Sequence, residues 1–356
     1  MVEGTPNPSH YNQVLSMAGS GPKDIWAVGT QRAGGDRVPA PDGGYMYRSV
    51  PATALIEHWN GSVWTLTPTP ADAKPLGSVS ADSPDDAWAA GQETDTLLHW
   101  DGKAWRSVTG AQLASNRPPQ FSAVLALSKS EAWAVGSQSI NYTSTLIEHW
   151  DGRRWEVVPS PGSQDGVDFR LNGVTALGPD DVWAVGERYF SDFGQTLVEH
   201  WDGRAWSLVP SPNVGNDWNF LYSVAAVDAH EVWAFGHHYT PPEGTAEPLI
   251  ERWDGVSWVI QPTPLYATDH FISAGIMTSQ QSGWAVGTAL QEDHSEPFVL
   301  RWDGTRWMAE SPCRASSAGF TAALALQDNE RWFAGSATFR TATREWSHCL
   351  VVKQVG

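Results

Sequence analysis

The segment Asp181-Val-Trp-Ala-Val-Gly186 is apolar on both sides of the chain, Val182, Ala184 and Gly186 alternating with Trp183 and Val185. A strand of this kind must be covered on both faces, unlike one that alternates apolar and polar positions. Ala and Gly at alternate positions predict room for a large side chain from a neighbouring layer. Upstream, Asn172 to Leu177 reads as a first strand and Gly178-Pro179-Asp180 as a tight turn. Downstream, Thr196 to Trp201 predicts a third strand, Asp202-Gly203 a turn, and Ala205 to Val209 a fourth. Asp-Gly between apolar strands is a strong short hairpin signal, because a type I′ turn needs positive φ at both central residues. A two-residue turn pairs Trp201 with Arg204 and Glu199 with Trp206. Both Trp rings then share one face, diagonally placed, and His200 points to the other.

This four-strand pattern recurs along the chain. The Trp-Ala-x-Gly element stands at Trp26, Trp88, Trp133, Trp183, Trp233 and Trp284, and in altered form at Trp332. The Trp-Asp/Asn-Gly element stands at Trp59, Trp100, Trp150, Trp201, Trp253 and Trp302, each followed five residues later by a second Trp. Together these positions hold 19 of the 21 tryptophans, so a Trp outside them needs its own explanation. Successive Trp-Ala-x-Gly elements are 62, 45, 50, 50, 51 and 48 residues apart, a period that points to propellers or solenoids.

The termini settle the blade count. After the seventh element the chain has a third strand, Cys349 to Lys353, and ends without a Trp-Asp-Gly turn. At the other end, Thr5-Pro6-Asn7 resembles the Ser211-Pro212-Asn213 that follows a fourth strand, so Val2 to Thr5 can supply the missing one. Such closure removes the exposed edges that invite aggregation. The expectation is an all-β, seven-bladed β-propeller with four-stranded blades, the last closed by the N-terminal strand, and residues 1–356 forming one domain.

The motifs Asp-Val-Trp-Ala-Val-Gly and Leu-Val-Glu-His-Trp-Asp-Gly-Arg-Ala-Trp resemble bacterial Trp-rich β-propeller repeats, and the likeness covers nearly the whole chain. Function varies across such propellers, so the resemblance implies fold rather than activity. The Trp-Asp-Gly-x-x-Trp hairpin is also similar to that of small fucose-binding propeller lectins, which hold sugar between blades with an Arg, a Glu and a Trp. This chain departs from them: Glu199 lies two residues before Trp201, and no repeated Arg stands in the first or second strand.

Charge narrows the partners. Lys and Arg total 22 against 40 acids, for a net charge of -18. Phosphate neutralisation needs clustered cations, so nucleic acid is disfavoured, and an anionic membrane surface with it. No apolar run reaches membrane-spanning length. Met1-Val2-Glu3 opens no signal peptide, so the protein is expected either at the cell surface or secreted, as a mature part, or else in the cytoplasm. A monomer is expected. Cys313 and Cys349 both lie in the last repeat, where a disulfide and two free thiols are equally compatible with the sequence.

The first-to-second and third-to-fourth turns are short and uniform, while the other two connections vary. They fall on opposite faces of the ring, so function is expected on the variable face. There blade 1 carries its longest insertion, Gln31 to Val50, with Tyr47 and Arg48. A second concentration spans blades 4 to 6: Tyr189 in the long loop of blade 4, Asp217 and Trp218 before blade 5, His237, His238 and Tyr239 in its long loop, and Asp269 and His270 before blade 6. Trp218 is outside the repeat, and an aromatic beside Tyr, Asp and His suits stacking on a sugar ring or an aromatic ligand.

No structural or catalytic zinc spacing is present, and neither metal nor cofactor is expected. The hairpin residues His58, His99, His149 and His200 recur with the blade and alternate with Arg252 and Arg301, which marks them as structural. No Gly-x-Ser-x-Gly elbow and no phosphate-cradling Gly motif occurs. The leading expectation is therefore a non-enzymatic recognition module that binds a carbohydrate or protein on the variable face. The alternatives are a lyase- or hydrolase-type enzyme using His237, His238, His270 and Asp269, and an interaction scaffold.

Overall fold

The computed structural model describes residues 2–3, 5–9, 11–32, 37–39, 45–47, 51–113, 117–139, 142–164, 166–240, 244–311, 317–326, 330–340 and 345–355; at 2–3, 37–39, 45–47, 240, 339–340, 345–347, 349–350 and 355 only the backbone is described. Among the described residues strands alone make up the regular elements. In blade 4, Asp168–Gly178, Asp181–Tyr189, Gly194–Trp201 and Trp206–Leu208 form an antiparallel sheet in chain order. The same meander repeats around a closed ring. The seven first strands pack side by side, the first against the seventh, and line a central channel.

The last blade joins the two ends of the chain. Ala318–Ala325, Glu330–Arg340 and Glu345–Val355 supply three strands, and Val2–Glu3 pairs antiparallel with the third, Val2 opposite Val352. By register Val2 occupies the place of Leu208, opposite Glu199 in blade 4, which makes Thr5 the counterpart of Ser211. The seven blades and their closing strand are those the repeat arithmetic predicts. The insertion of blade 1 adds a small hairpin, Arg37–Pro39 against Tyr45–Tyr47. Cys313 lies outside the described residues, as does the side chain of Cys349.

Two local expectations are corrected. In the third-to-fourth hairpin Trp201 lies directly opposite Trp206, and Glu199 opposite Leu208. The connection is a four-residue loop, because Asp202 folds back on it. Its Oδ1 accepts the backbone N–H groups of Arg204 and Ala205, both at 2.9 Å, while Gly203 alone takes positive φ, 85°. This side-chain turn outcompetes the two-residue type I′ turn. Second, the Gly of Trp-Ala-x-Gly makes room for backbone of its own blade. A Cβ on Gly186 would come within 2.0 Å of the Arg170 carbonyl oxygen, where the first strand bulges between Leu171 and Gly173. Ala184 does face the neighbouring blade, in a core shared with Trp133 and Val135.

Six of the seven second-strand tryptophans, all but Trp284, are clamped from three sides. Trp183 is stacked on His200 at 4.1 Å, and the pair Trp253 and Trp258 from the next blade close over it at 5.2 and 5.6 Å. The acid that opens the second strand ties down the residue opposite the Trp. His58 bonds Asp24 at 2.6 Å, His99 bonds Asp86 at 2.7 Å, His149 bonds Glu131 at 2.7 Å and His200 bonds Asp181 at 2.8 Å. Arg252 and Lys353 fill the same place against Glu231 at 2.8 Å and Glu330 at 3.0 Å. The hairpin histidines are thus structural, as their recurrence implies.

A second repeated feature is buried charge. Glu57, Glu148, Glu199 and Glu251 are fully buried on their third strands. Three find donors on the loop leaving the preceding blade: Ser160 Oγ reaches Glu199 at 2.7 Å, Ser211 Oγ reaches Glu251 at 2.7 Å, and the Ala111 N–H reaches Glu148 at 2.8 Å. Among the described residues neither carboxyl oxygen of Glu57 has a hydrogen-bond partner, and the hydroxyl of Thr5, the counterpart of Ser211, is also buried and unpaired. Burial raises all four carboxyls, Glu199 to about 7 and Glu57 and Glu251 to about 8.

Candidate functional site on the variable face

Strand alternation builds the site. Trp218, Phe220 and Tyr222 precede or lie along the first strand of blade 5, Asn219–Asp228, at a spacing of two, so their rings share one face. Trp218 and Phe220 are nearly coplanar in orientation, 6.1 Å apart at 7°, and Tyr222 continues the row 6.1 Å further. The second strand, Glu231–Thr240, places His237 opposite Phe220. The His237 ring stands 5.2 Å from Phe220, 5.3 Å from Tyr222 and 5.6 Å from Tyr239.

Neighbouring blades complete the row. Tyr189, the last residue of its strand in blade 4, brings its ring to 5.8 Å from Trp218 and 6.0 Å from Phe220. Phe271 of blade 6 meets His237 edge-on at 4.9 Å. Gly194 lies under Trp218, where a Cβ would come within 2.8 Å of the indole. The result is a half-buried aromatic surface across three blades at the channel mouth.

Polar groups sit beneath and beside it. Glu187 is 3% exposed and accepts hydrogen bonds from the Tyr189 hydroxyl at 2.9 Å and from the Asn172 amide. Burial pushes its carboxyl up to about 7, against the opposing pull of those two bonds and the Arg170 charge. The Arg170 guanidinium lies 5.7 Å from the Tyr189 ring centre, within cation–π range. Burial raises the Tyr189 and Tyr222 hydroxyls above their ordinary range and lowers His237 to about 4. Arg170 also borders a groove of about 440 Å³ running toward blades 2 and 3, lined by Lys74, Glu93, Asp95, Arg117 and Gln120.

Of the residues expected to form the site, Tyr189, Trp218, His237 and Tyr239 come together. The others do not join them. His238 points to the opposite face of its strand, opposite Asn219 and Glu247, and burial lowers its pKa. Asp217 Oδ1 accepts the Trp218 N–H at 2.8 Å, and Asp269 Oδ1 accepts the Ala246 N–H at 2.8 Å, so both shape loops. His270 stacks on Tyr266 at 3.8 Å, and its Nδ1–H donates to the Thr268 carbonyl at 2.7 Å. Arg48 and the side chain of Tyr47 lie outside the described residues. Phe220, Tyr222, Glu187 and Arg170 were missed. For the first two the signal was available, an alternation with Trp218 at the strand period.

His237 Nδ1 and His238 Nδ1 are buried without a hydrogen-bond partner among the described residues. No group of three His, Cys, Asp or Glu among the described residues is arranged to hold a metal ion.

The fold defines a Trp-rich seven-bladed β-propeller. No family model matches the chain, and no curated protein matches it. Solved structures of similar fold include YCF48 bound to a D1 peptide, aligned over 100% of this chain and 98% of its own with a TM-score of 0.60 and 13% identity. Sqt1 from Chaetomium thermophilum, bound to the N-terminus of ribosomal protein L10, aligns over 98% of both chains with a TM-score of 0.56 and 10% identity. An ulvan lyase bound to -[GlcA(1-4)Rha3S]- aligns over 99% of this chain and 96% of its own, with a TM-score of 0.54 and 10% identity. At these identities the likeness is one of fold.

Proposed function

We propose that this propeller is a non-enzymatic recognition module that binds a protein segment on its variable face, across the aromatic surface of blades 4 to 6. The observation that carries this reading is the row Trp218, Phe220 and Tyr222, met by Tyr189 and Tyr239 from adjoining strands and left half-buried. Rigid aromatic anchors beside charged groups are the side chains that dominate protein interfaces. The groove bordered by Arg170, Lys74 and Asp95 would extend the contact with charge of both signs. Two propellers of similar fold were solved with a peptide or protein N-terminus bound, which favours a polypeptide ligand. A carbohydrate is the second reading, supported by the flat indole of Trp218, a surface on which sugar rings stack.

The test is Trp218→Ala, screened on peptide and glycan arrays beside the parent protein. Loss of a central aromatic anchor is expected to weaken binding by roughly 30-fold, the effect of about 2 kcal/mol. Half-buried Trp218 belongs to no repeat clamp, so the melting temperature should stay close to that of the parent. Undiminished binding by the folded variant would sink the assignment.

A further inference from the structure

The opposite, uniform face departs from the repeat at one place, between blades 6 and 7. Six blades open their second strand with an acid that holds a His, Arg or Lys of the third. In blade 6 that position is Ser282: it pairs with Ser279 across the turn as Asp181 pairs with Gly178 in blade 4. Arg301 still stands opposite Trp284, in the register that Arg252 and His200 occupy, but makes no ion pair among the described residues. The indole N–H of Trp284 turns instead to Glu310 Oε2 at 3.2 Å.

Two further changes coincide with the missing acid. In blade 7 the register place of Trp253, which pairs with Val232 in blade 5, is held by Gln354, paired with Arg331. And where Ile25, Val182 and Val232 pack against the Trp of the blade before, blade 7 has Arg331, whose guanidinium lies 4.3 Å over the Trp284 ring. Together these changes open a cavity of about 550 Å³, bordered by Trp284, Arg301, Arg331, Ser279, Ser282 and Glu310. Its other acid, Glu330, is held by Lys353 at 3.0 Å. Arg331 Nε is buried without a hydrogen-bond partner. In a chain of net charge -18, two arginines that make no ion pair among the described residues share one cavity.

We propose that this cavity binds a small molecule carrying a carboxylate. The carboxylate takes the place that Asp181 or Glu231 fills in other blades and is held by Arg301 and Arg331, while an apolar body occupies the rest of the cavity, beside Ala325 and Leu326. The internal repeat itself identifies the chemistry: the same register position binds a carboxylate in six blades, and the guanidinium fork matches a carboxylate with two parallel N–H bonds. A volume of this size is that of a small-molecule pocket. The site lies on the face opposite the aromatic surface and does not depend on the role proposed there.

The experiment is calorimetric titration of the full chain with benzoate, and with benzamide as the uncharged match. Saturable benzoate binding without benzamide binding is expected, and both Arg301→Gln and Ser282→Asp should weaken it at least tenfold. Ser282→Asp supplies the missing acid from within, so the same variant should also melt at a higher temperature than the parent. Should Ser282→Asp fail to fold, Arg301→Gln decides. The proposal is overturned if benzoate does not saturate, if benzamide binds equally well, or if a folded variant binds benzoate as the parent does.

Discussion

Trp233→Ala is expected to destabilise the ring by about 3–5 kcal/mol, the cost of emptying a fully buried aromatic position. Trp233 is 0% exposed and has Trp302 and Trp307 of the next blade at 4.9 and 5.6 Å. Its indole N–H donates to Glu231 Oε1 at 2.9 Å, and Glu231 in turn holds Arg252. Truncation therefore leaves a cavity at a blade interface and removes a donor from a buried carboxylate, and the two losses add in the same direction. Chemical denaturation of parent and variant at one temperature measures the difference. The contrast with Trp218→Ala is the informative part: one loses stability, the other loses binding. A Trp233→Ala ring as stable as the parent would show that the blades are not held by these tryptophans.

The second large effect is a loss of stability as pH rises from about 6.5 to about 8, and its sign follows from the buried glutamates. The unfolded chain releases these protons near the ordinary value of 4.5, whereas the folded ring holds them until about 7 at Glu199 and about 8 at Glu57 and Glu251. Between those limits the folded state binds more protons, so the free energy of unfolding falls with rising pH. The stability is full below the unfolded value and is lost as pH climbs through the folded ones.

Below about 6.5 the effect is partly masked, because His237, lowered to about 4, is neutral in the fold but charged when unfolded and pulls in the opposite direction. Above that point the carboxyls act alone among these groups, each contributing roughly 1–2 kcal/mol over the window. Glu57→Leu isolates one of them. Leu98 and Leu300 already occupy the same register position in blades 2 and 6, and Glu57 has no partner to lose. The variant is expected to be more stable by about 1–3 kcal/mol at pH 8 and to show a shallower pH slope. Melting temperatures at the two pH values check this. A flat profile in the parent, or an unchanged slope in Glu57→Leu, would contradict the assignment.

Much of the fold could be read from the chain because the propeller repeats a local pattern. Seven Trp-Ala-x-Gly elements, a two-residue alternation and a terminal Thr5-Pro6-Asn7 matching Ser211-Pro212-Asn213 state the blade count and its closure without reference to any distant contact. The hairpin register was not legible in the same way. The Asp202 side chain competes with the backbone for its own turn, and that competition is decided by hydrogen-bond geometry rather than residue type. The site divides along the same line. Trp218 announced itself by standing outside the repeat, but consecutive strand residues face opposite ways, so His237 joins the aromatic row and His238 cannot.

By itself, then, the sequence determined the blade, its number of copies and the strand that closes the ring, since each follows from spacing along the chain. Only the tertiary structure decided what adjoining blades do to one another. Glu199 reads as an ordinary polar strand residue until the loop of blade 3 covers it, and Tyr189 is a loop aromatic until blade 5 brings Trp218 to it. Ser282 is one substitution in a repeat until blade 7 brings Arg331 over Trp284 and leaves Arg301 and Arg331 facing a cavity. Burial and charge pairing are properties of surfaces in contact, and here those surfaces belong to segments roughly one repeat apart, beyond the reach of any local pattern.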